Sequence, residues 1–322
     1  MDVDAMENYT FELKNNIFGY FQRDENDCLI YIDTGLFSKT NYYQWSRWKQ
    51  GENNYNETFP EAKNNDEISK AIGYFSWNQV YDYCPYYPIV INLSKKPKAG
   101  VFYPRMNRGE PKLFNSLGTN TEMLDEVRTF NNICNSLNEL FNYMDPDSRN
   151  LNCFGNKVRE ILIIACTEVE YLLQSFLADN NYSTNRFSTN DYVRALSLLK
   201  LDSYTARLIF YPQLQDWAPF STWDVTNPTT SLAWYEAYNA VKHNRGTNKH
   251  KASLNTVINA VAAIHILLES QYGSEIFNSP MQSSFSSIFK TTKYPVFSVD
   301  ELQCPSMSQN EILWNHKCNL FP

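Results

Sequence analysis

The sequence predicts a predominantly helical α+β protein. A small, aromatic-rich, β-containing module is expected at residues 1–118, a helical bundle at 119–275, and an irregular tail packing on the body at 276–322. Three observations carry this reading. Short β-branched and aromatic runs, separated by Asn, Asp, Gly and Pro, fill the first third. From Thr121 onward, apolar residues recur at spacings of three and four. The 322-residue chain is 43% hydrophobic and 15% aromatic, enough to bury a core and too apolar for intrinsic disorder.

In the first module, "NIFGYFQR", "CLIYID", "YYPIVINL" and "AGVFYPR" read as strands bounded by turn residues. The segment from Asn41 to Trp48 fits a strand or a short helix equally well. The first helix of the bundle follows Met123, Val127, Phe130, Cys134, Leu137 and Phe141, and Asp145-Pro146 forbids its continuation. A second runs from about Gly155 to Ala178, on a wide apolar stripe that includes Val158, Ile161, Ala165, Val169 and Phe176. A third, "STNDYVRALSLLK", opens on Ser188 or Thr189 as N-cap, with Asp191 near the positive end of the dipole. A fourth covers roughly Ser231 to His243, and a fifth runs from Lys251 to Tyr272 and stops at Gly273. Residues from Asp202 to Thr230 are expected to start as helix and become a Pro- and Trp-punctuated loop. The tail carries one expected strand at "YPVFSV".

The net charge of −7 disfavours a globally basic nucleic-acid binder but leaves room for a local basic patch. Seven cysteines (Cys28, Cys84, Cys134, Cys153, Cys166, Cys304, Cys318) are scattered singly, without a C-x-x-C pair. They read as free thiols in a reducing compartment. The acidic start "MDVDAMENYT" lacks the apolar stretch of a signal peptide, and apolar runs break off after about a dozen residues, short of a bilayer. A cytoplasmic protein with no membrane partner is expected.

Three of the four histidines fall in "SLAWYEAYNAVKHNRGTNKHKASLNTVINAVAAIHILL", which starts at Ser231. At about 100° per residue, Trp234, Ala237 and Val241 share one side of a helix, while Glu236, Asn239 and His243 gather on the other. An imidazole exchanges protons near neutral pH, and Lys242 and Arg245 can hold a phosphate. Those are the groups that metal-free cleavage of an RNA phosphodiester requires. The plain alternative is a solvated helix face ending in a basic turn that suits the helix dipole. His265 repeats the apolar stripe and is expected in the core; His250 reads as a loop residue, and His316 has no readable partner. Glu168 and Glu170, on the second helix, can face the same cleft or water, and water is expected. No phosphate-binding glycine loop, dinucleotide fingerprint, nucleophile elbow or H-E-x-x-H pair occurs, and neither a metal site nor a cofactor is expected.

The helix with "YNAVKH", its basic turn and the following "ASLNTVINAVAAIHILLES" resemble the HEPN superfamily of compact helical domains, found in bacterial toxins and phage-defence proteins. "VREILIIACTEVEYLLQSFL" resembles the family's long first helix, so the likeness spans roughly residues 151–275. Its ribonucleases carry an Arg, four to six residues, and a His, with a polar residue often following the Arg. In one register, Asn239 and His243 match the polar residue and the histidine, and Tyr238 stands where the arginine belongs. In the other, Arg245 and His250 have the spacing, with Gly246 at the polar position. The resemblance implies an RNA-directed effector of a defence or toxin–antitoxin system, acting on tRNA or phage RNA as a metal-independent endoribonuclease and working as a homodimer, with an antitoxin or defence-system partner. In that role His243 is the acid or base, Asn239 its neighbour, and Lys242 and Arg245 the phosphate clamp. Tyr238, Glu236 and His250 would contact substrate. The alternative is a catalytically inactive module of the same kind that binds RNA, a nucleotide or a protein, with Tyr238 packed against the bundle and the aromatic N-terminal part as its recognition surface.

Overall fold

The structure is a computed structural model and describes residues 6–14, 16–33, 38–80, 88–111, 113, 121–277 and 287–321. It is α+β, with the chain divided between two units. The division is not the simple succession expected from sequence. Residues 297–318 of the tail join residues 1–102 and 110–116 in a β unit, whereas residues 103–109 and 319–322 join residues 117–296 in a helical unit.

In the β unit, strands β1 (Glu7–Leu13), β2 (Ile17–Arg23), β3 (Asp27–Asp33), β4 (Ser38–Gln44) and β5 (Val90–Lys96) form one antiparallel sheet in the order β4-β3-β2-β1-β5. Alternation sorts its side chains onto two covered faces. Tyr9, Phe11, Leu13, Phe21, Cys28, Ile30 and Ile32 pack against helices α1 (Trp45–Thr58) and α2 (Glu67–Val80) through Trp48, Tyr55, Ile72 and Phe75. The other face carries Tyr20, Leu29 and Tyr31, closed over by Cys304, Met307 and Ile312 of the tail. The Thr10 hydroxyl donates to the Val299 carbonyl at 2.6 Å, tying the tail down. Short β6 (Val101–Phe102) adds a parallel pairing with His316–Lys317.

The sequence left both α1 and α2 unassigned, and Asn41–Trp48 proves to be the end of β4 running directly into α1. The two helices meet through exchanged glycines. A Cβ on Gly51 of α1 would overlap the Tyr74 ring of α2, and one on Gly73 of α2 would overlap the Tyr55 hydroxyl of α1. Each glycine therefore makes room for the other helix's tyrosine.

The helical unit is built on α3 (Thr121–Phe141), α4 (Asn156–Asp179), the short α5 (Thr189–Tyr192) and α6 (Arg194–Leu199), α7 (Ala233–His243), the single turn α8 (Arg245–Asn248) and α9 (Leu254–Tyr272). Ser253 caps α9 reciprocally with Thr256, and Gly273, at φ 89°, ends it. From Ala260 to Tyr272 every residue of α9 is buried, so it is the central helix, packed on α3, α4 and α7. The expected third helix is broken in two: Ser188 and Asp191 cap α5, and Lys200, left-handed at φ 49°, stops α6. Where a helix start was expected after Asp202, β7 (Thr205–Leu208) pairs with β8 (Phe289–Lys293). The expected "YPVFSV" strand is irregular; β8 ends just before it because Pro295 has no N–H for a ladder.

A buried arginine fixes residues 103–109 within this unit. Arg105, at φ 53°, sets its guanidinium 2.6 Å from Asp179, 2.7 Å from Glu126 and 2.8 Å from Glu122, and donates to Gln271 at 3.0 Å. The surrounding carboxylates push its pKa up against the opposing effect of burial. Helix α4 corrects the expectation that no apolar run reaches membrane length. It has 24 residues, with a window of mean hydropathy 1.6, enough by length and composition to cross a bilayer. Its Ile161, Leu162, Val169, Leu172 and Phe176 are buried, which accounts for that apolarity as core packing. Each unit also holds buried free thiols, Cys28 and Cys304 in one, Cys134 and Cys166 in the other, and burial pushes the pKa of all four upward. Cys84 lies outside the described residues.

Candidate functional site

The site singled out in the sequence is the C-terminal end of α7 and the turn that follows. Trp234, Ala237 and Val241 point into the core as expected, and Tyr235 and Tyr238 join them there. Trp234 Nε1 donates to the Pro219 carbonyl at 2.7 Å, anchoring the start of the helix to the loop before it. Glu236 and His243 lie on the exposed side, with Asn239 half-buried between them.

Two assignments change. Tyr238 is 1% exposed, so it is a core residue and its ring offers no surface to substrate. Its hydroxyl donates toward Glu170 Oε2 at 3.5 Å and accepts from Lys242 Nζ at 2.7 Å. The ammonium of Lys242 also sits 4.8 Å from the centre of the Tyr238 ring. Lys242 is thus engaged within its own helix rather than held free as a phosphate clamp. The Tyr238 hydrogen bond is the largest influence raising the Lys242 pKa, which keeps the ammonium charged.

The residue that sequence reasoning missed here is Glu170. It was expected to face water, yet it accepts from the Tyr235 hydroxyl at 2.5 Å and receives Tyr238 on its other oxygen. Glu170, Tyr238 and Lys242 form a short polar chain from α4 to the end of α7. The signal available in sequence was the pair of tyrosines on the apolar side of α7, since buried phenols need partners. Neighbouring Glu168 is pushed up to about 7 by burial, then by Glu126 and Asp125.

Beyond α7 the chain stays ordered. Asn248 donates back to the carbonyls of Asn244 at 3.1 Å and Ala240 at 3.3 Å, folding Arg245–Asn248 into the single turn α8, and Lys249–Lys251 follows as a 3₁₀ turn. His250 therefore faces solvent, as expected, but from a 3₁₀ turn rather than a loop. His243, Arg245, Lys249 and His250 are all exposed, and none of them makes a side-chain hydrogen bond or ion pair among the described residues. Lys251 pairs with Glu236 at 3.2 Å. No acidic residue occurs between Glu236 and Glu269, so the exposed edge at 242–251 is wholly cationic or imidazole in its ionisable groups.

His265 occupies the core as expected. Its Nδ1 lies 3.0 Å from Ser287 Oγ and its Nε2 3.0 Å from Thr291 Oγ1, with the Phe277 ring stacked at 4.7 Å. Burial lowers its pKa to about 3 and raises that of Glu269, one turn further on, to about 7. Among the described residues no group of three His, Cys, Asp or Glu side chains is placed to hold a metal ion. What the α7 edge can do chemically is attract a polyanion and present an imidazole to it. Comparison of the chain with protein-family models, with curated proteins and with solved structures finds no match.

Proposed function

We propose that the protein is an RNA-directed effector of the HEPN type, cytoplasmic and homodimeric, whose helical unit engages RNA along residues 242–251. The observation that supports this best is the acid-free, exposed edge on an otherwise acidic chain, with Arg245, Lys249 and the two imidazoles uncommitted to partners among the described residues. Such an edge concentrates positive field locally and takes its affinity from displaced counterions. The sequence resemblance supplies the biological setting, a bacterial defence or toxin–antitoxin system with a partner protein.

Metal-independent cleavage is the second reading, favoured by the exposed outer face on which His243 accompanies Glu236 and Asn239. In that reading His243 takes the 2′-hydroxyl proton, the 2′-oxygen attacks phosphorus as the bond to the 5′-oxygen breaks, and water protonates the departing oxygen. Arg245 bears the phosphate charge, because Lys242 is already bound to Tyr238. A second copy of the chain would complete the cleft.

The test is RNA binding by the purified protein over a salt series, without added metal. Wild type should show a log–log slope that Arg245→Glu with Lys249→Glu makes shallower, by about 0.7 for each phosphate of a single strand that is no longer neutralised. Unchanged affinity and slope in that double variant would remove the RNA site from this edge. In parallel, cleavage should survive EDTA, leave 2′,3′-cyclic phosphates and fall roughly a hundredfold or more in His243→Ala. Loss in His250→Ala alone would shift the working pair to Arg245 and His250. Binding without cleavage would leave the RNA-binding module.

A further inference from the structure

The β unit contains a cavity of about 840 Å³, near the upper end of the size range of small-molecule sites. Its floor is one rung of the sheet. Asn8 of β1 is in register with Gln22 of β2, which is in register with Leu29 of β3, so the three side chains stand side by side on the face that the tail covers.

That floor is rigid. Gln22 Nε2 donates to Asn8 Oδ1 at 2.7 Å and to the Pro305 carbonyl at 3.1 Å, while Gln22 Oε1 accepts the Met307 backbone N–H at 2.9 Å. Asn8 Nδ2 donates to the Met6 carbonyl at 3.2 Å. An Asn amide has two N–H donors and an oxygen with two lone pairs. Among the described residues Asn8 therefore keeps one N–H and one lone pair for a ligand, in an orientation fixed by Gln22. Asn8 and Gln22 are 4% and 2% exposed, so whatever reaches them must enter the cavity. Two thioethers, Met6 and Met307, supply walls suited to the face of a flat ring.

The rim has the opposite character. Lys98 is exposed and has no ion-pair partner among the described residues, and His316 is half-buried beside it in the lining. Among the described residues no acidic side chain lines the cavity. The arrangement suits a ligand with a planar, hydrogen-bonding ring at one end and an anion at the other. An Asn amide reads the edge of a nucleobase by donating and accepting at once, and a lysine takes a phosphate.

We propose that this cavity binds a nucleoside phosphate, with the base on the Asn8 amide between the methionines and the phosphate at Lys98 and His316. The site lies in the β unit and does not rest on the RNA reading of the helical unit.

The test is titration calorimetry of the full chain with AMP, GMP, CMP and UMP, and with adenosine and inorganic phosphate as fragments. At least one mononucleotide should bind, at least tenfold more tightly than either fragment. Lys98→Glu, an exposed change that leaves the melting temperature unaltered, should weaken that nucleotide tenfold or more. Ala99→Trp, which fills the cavity, should abolish binding. Arg245→Glu with Lys249→Glu should leave the affinity unchanged, separating this site from the RNA edge. No binding by any mononucleotide, or binding indifferent to both Lys98→Glu and Ala99→Trp, would overturn the proposal. So would phosphate alone binding as tightly as the nucleotide.

Discussion

His265 and His243 lie on two helices that pack against each other, and their surroundings are opposites. His265 is 1% exposed, with a hydroxyl on each ring nitrogen; His243 is exposed and unpartnered among the described residues. The difference separates two uses of a polar side chain. Inside α9 the imidazole is a packed, neutral part of the core that must be fully hydrogen-bonded. At the end of α7 it is left available, and whatever it does depends on something that arrives.

Stability measurements should separate the two histidines most widely. His265→Ala should cost about 3–5 kcal/mol, since it opens a cavity and removes one buried hydrogen bond each from Ser287 and Thr291. His243→Ala should stay within about 0.5 kcal/mol. Urea denaturation of both variants measures this, and equal losses would break the contrast.

Acid sharpens it further. The His265 pKa is lowered from its ordinary value to about 3, so between pH 6.5 and 3 the unfolded chain binds the extra proton and stability falls as pH drops. The Glu269 pKa is raised to about 7, so its penalty grows as pH rises from 4.5 to 7 and is absent below 4.5. Between pH 4.5 and 6.5 the two oppose each other. Below pH 4.5 only the histidine of this pair acts, contributing up to about 1.4 kcal/mol per pH unit. Comparing wild type with His265→Gln from pH 4.5 to 3 should show that slope shrink by about this amount. An unchanged slope would mean that His265 titrates in the folded state.

A smaller effect is expected where the two environments meet. Tyr238→Phe removes the hydroxyl linking Glu170 to Lys242 and should cost about 1 kcal/mol. A double-mutant cycle with Lys242→Met assigns the share that belongs to the pair. Smallest of all, Glu236→Gln breaks the exposed pair with Lys251 at about 0.5 kcal/mol or less. By removing the acid beside the edge it should also tighten RNA binding at low salt. Weaker binding would place Glu236 in the contact instead.

The contrast also marks what could be read in advance. Helices α3, α4 and α9 were legible because their apolar stripes are long, and His265 fell on such a stripe. Helix α1 was not: only Trp48 and Tyr55 of its residues are buried, and Gly51 sits mid-helix as a breaker would. Its stability comes from interlocking with α2, which no local pattern encodes. On α7 the core-facing side and the exposed Glu236 and His243 were legible from helical geometry. For Tyr238 the motif alignment implied a substrate contact and the inactive alternative a residue packed against the bundle; its burial decides for packing, and that burial is set elsewhere in the chain. The cavity on the β unit was also out of reach. It combines a strand rung from residues 8–29 with a tail segment nearly three hundred residues later.

The four buried thiols make the two units separately observable. A thiolate is the reactive form, and Cys28, Cys134, Cys166 and Cys304 are at most 2% exposed with their pKa values raised, so an alkylating reagent reaches them only after local opening. Timed alkylation followed by peptide mass analysis then acts as a pair of clocks. Cys28 and Cys304 keep time for the sheet and the tail that closes it. Cys134 and Cys166 keep time for the helices. Should a nucleotide enter the β unit, its clock alone would slow.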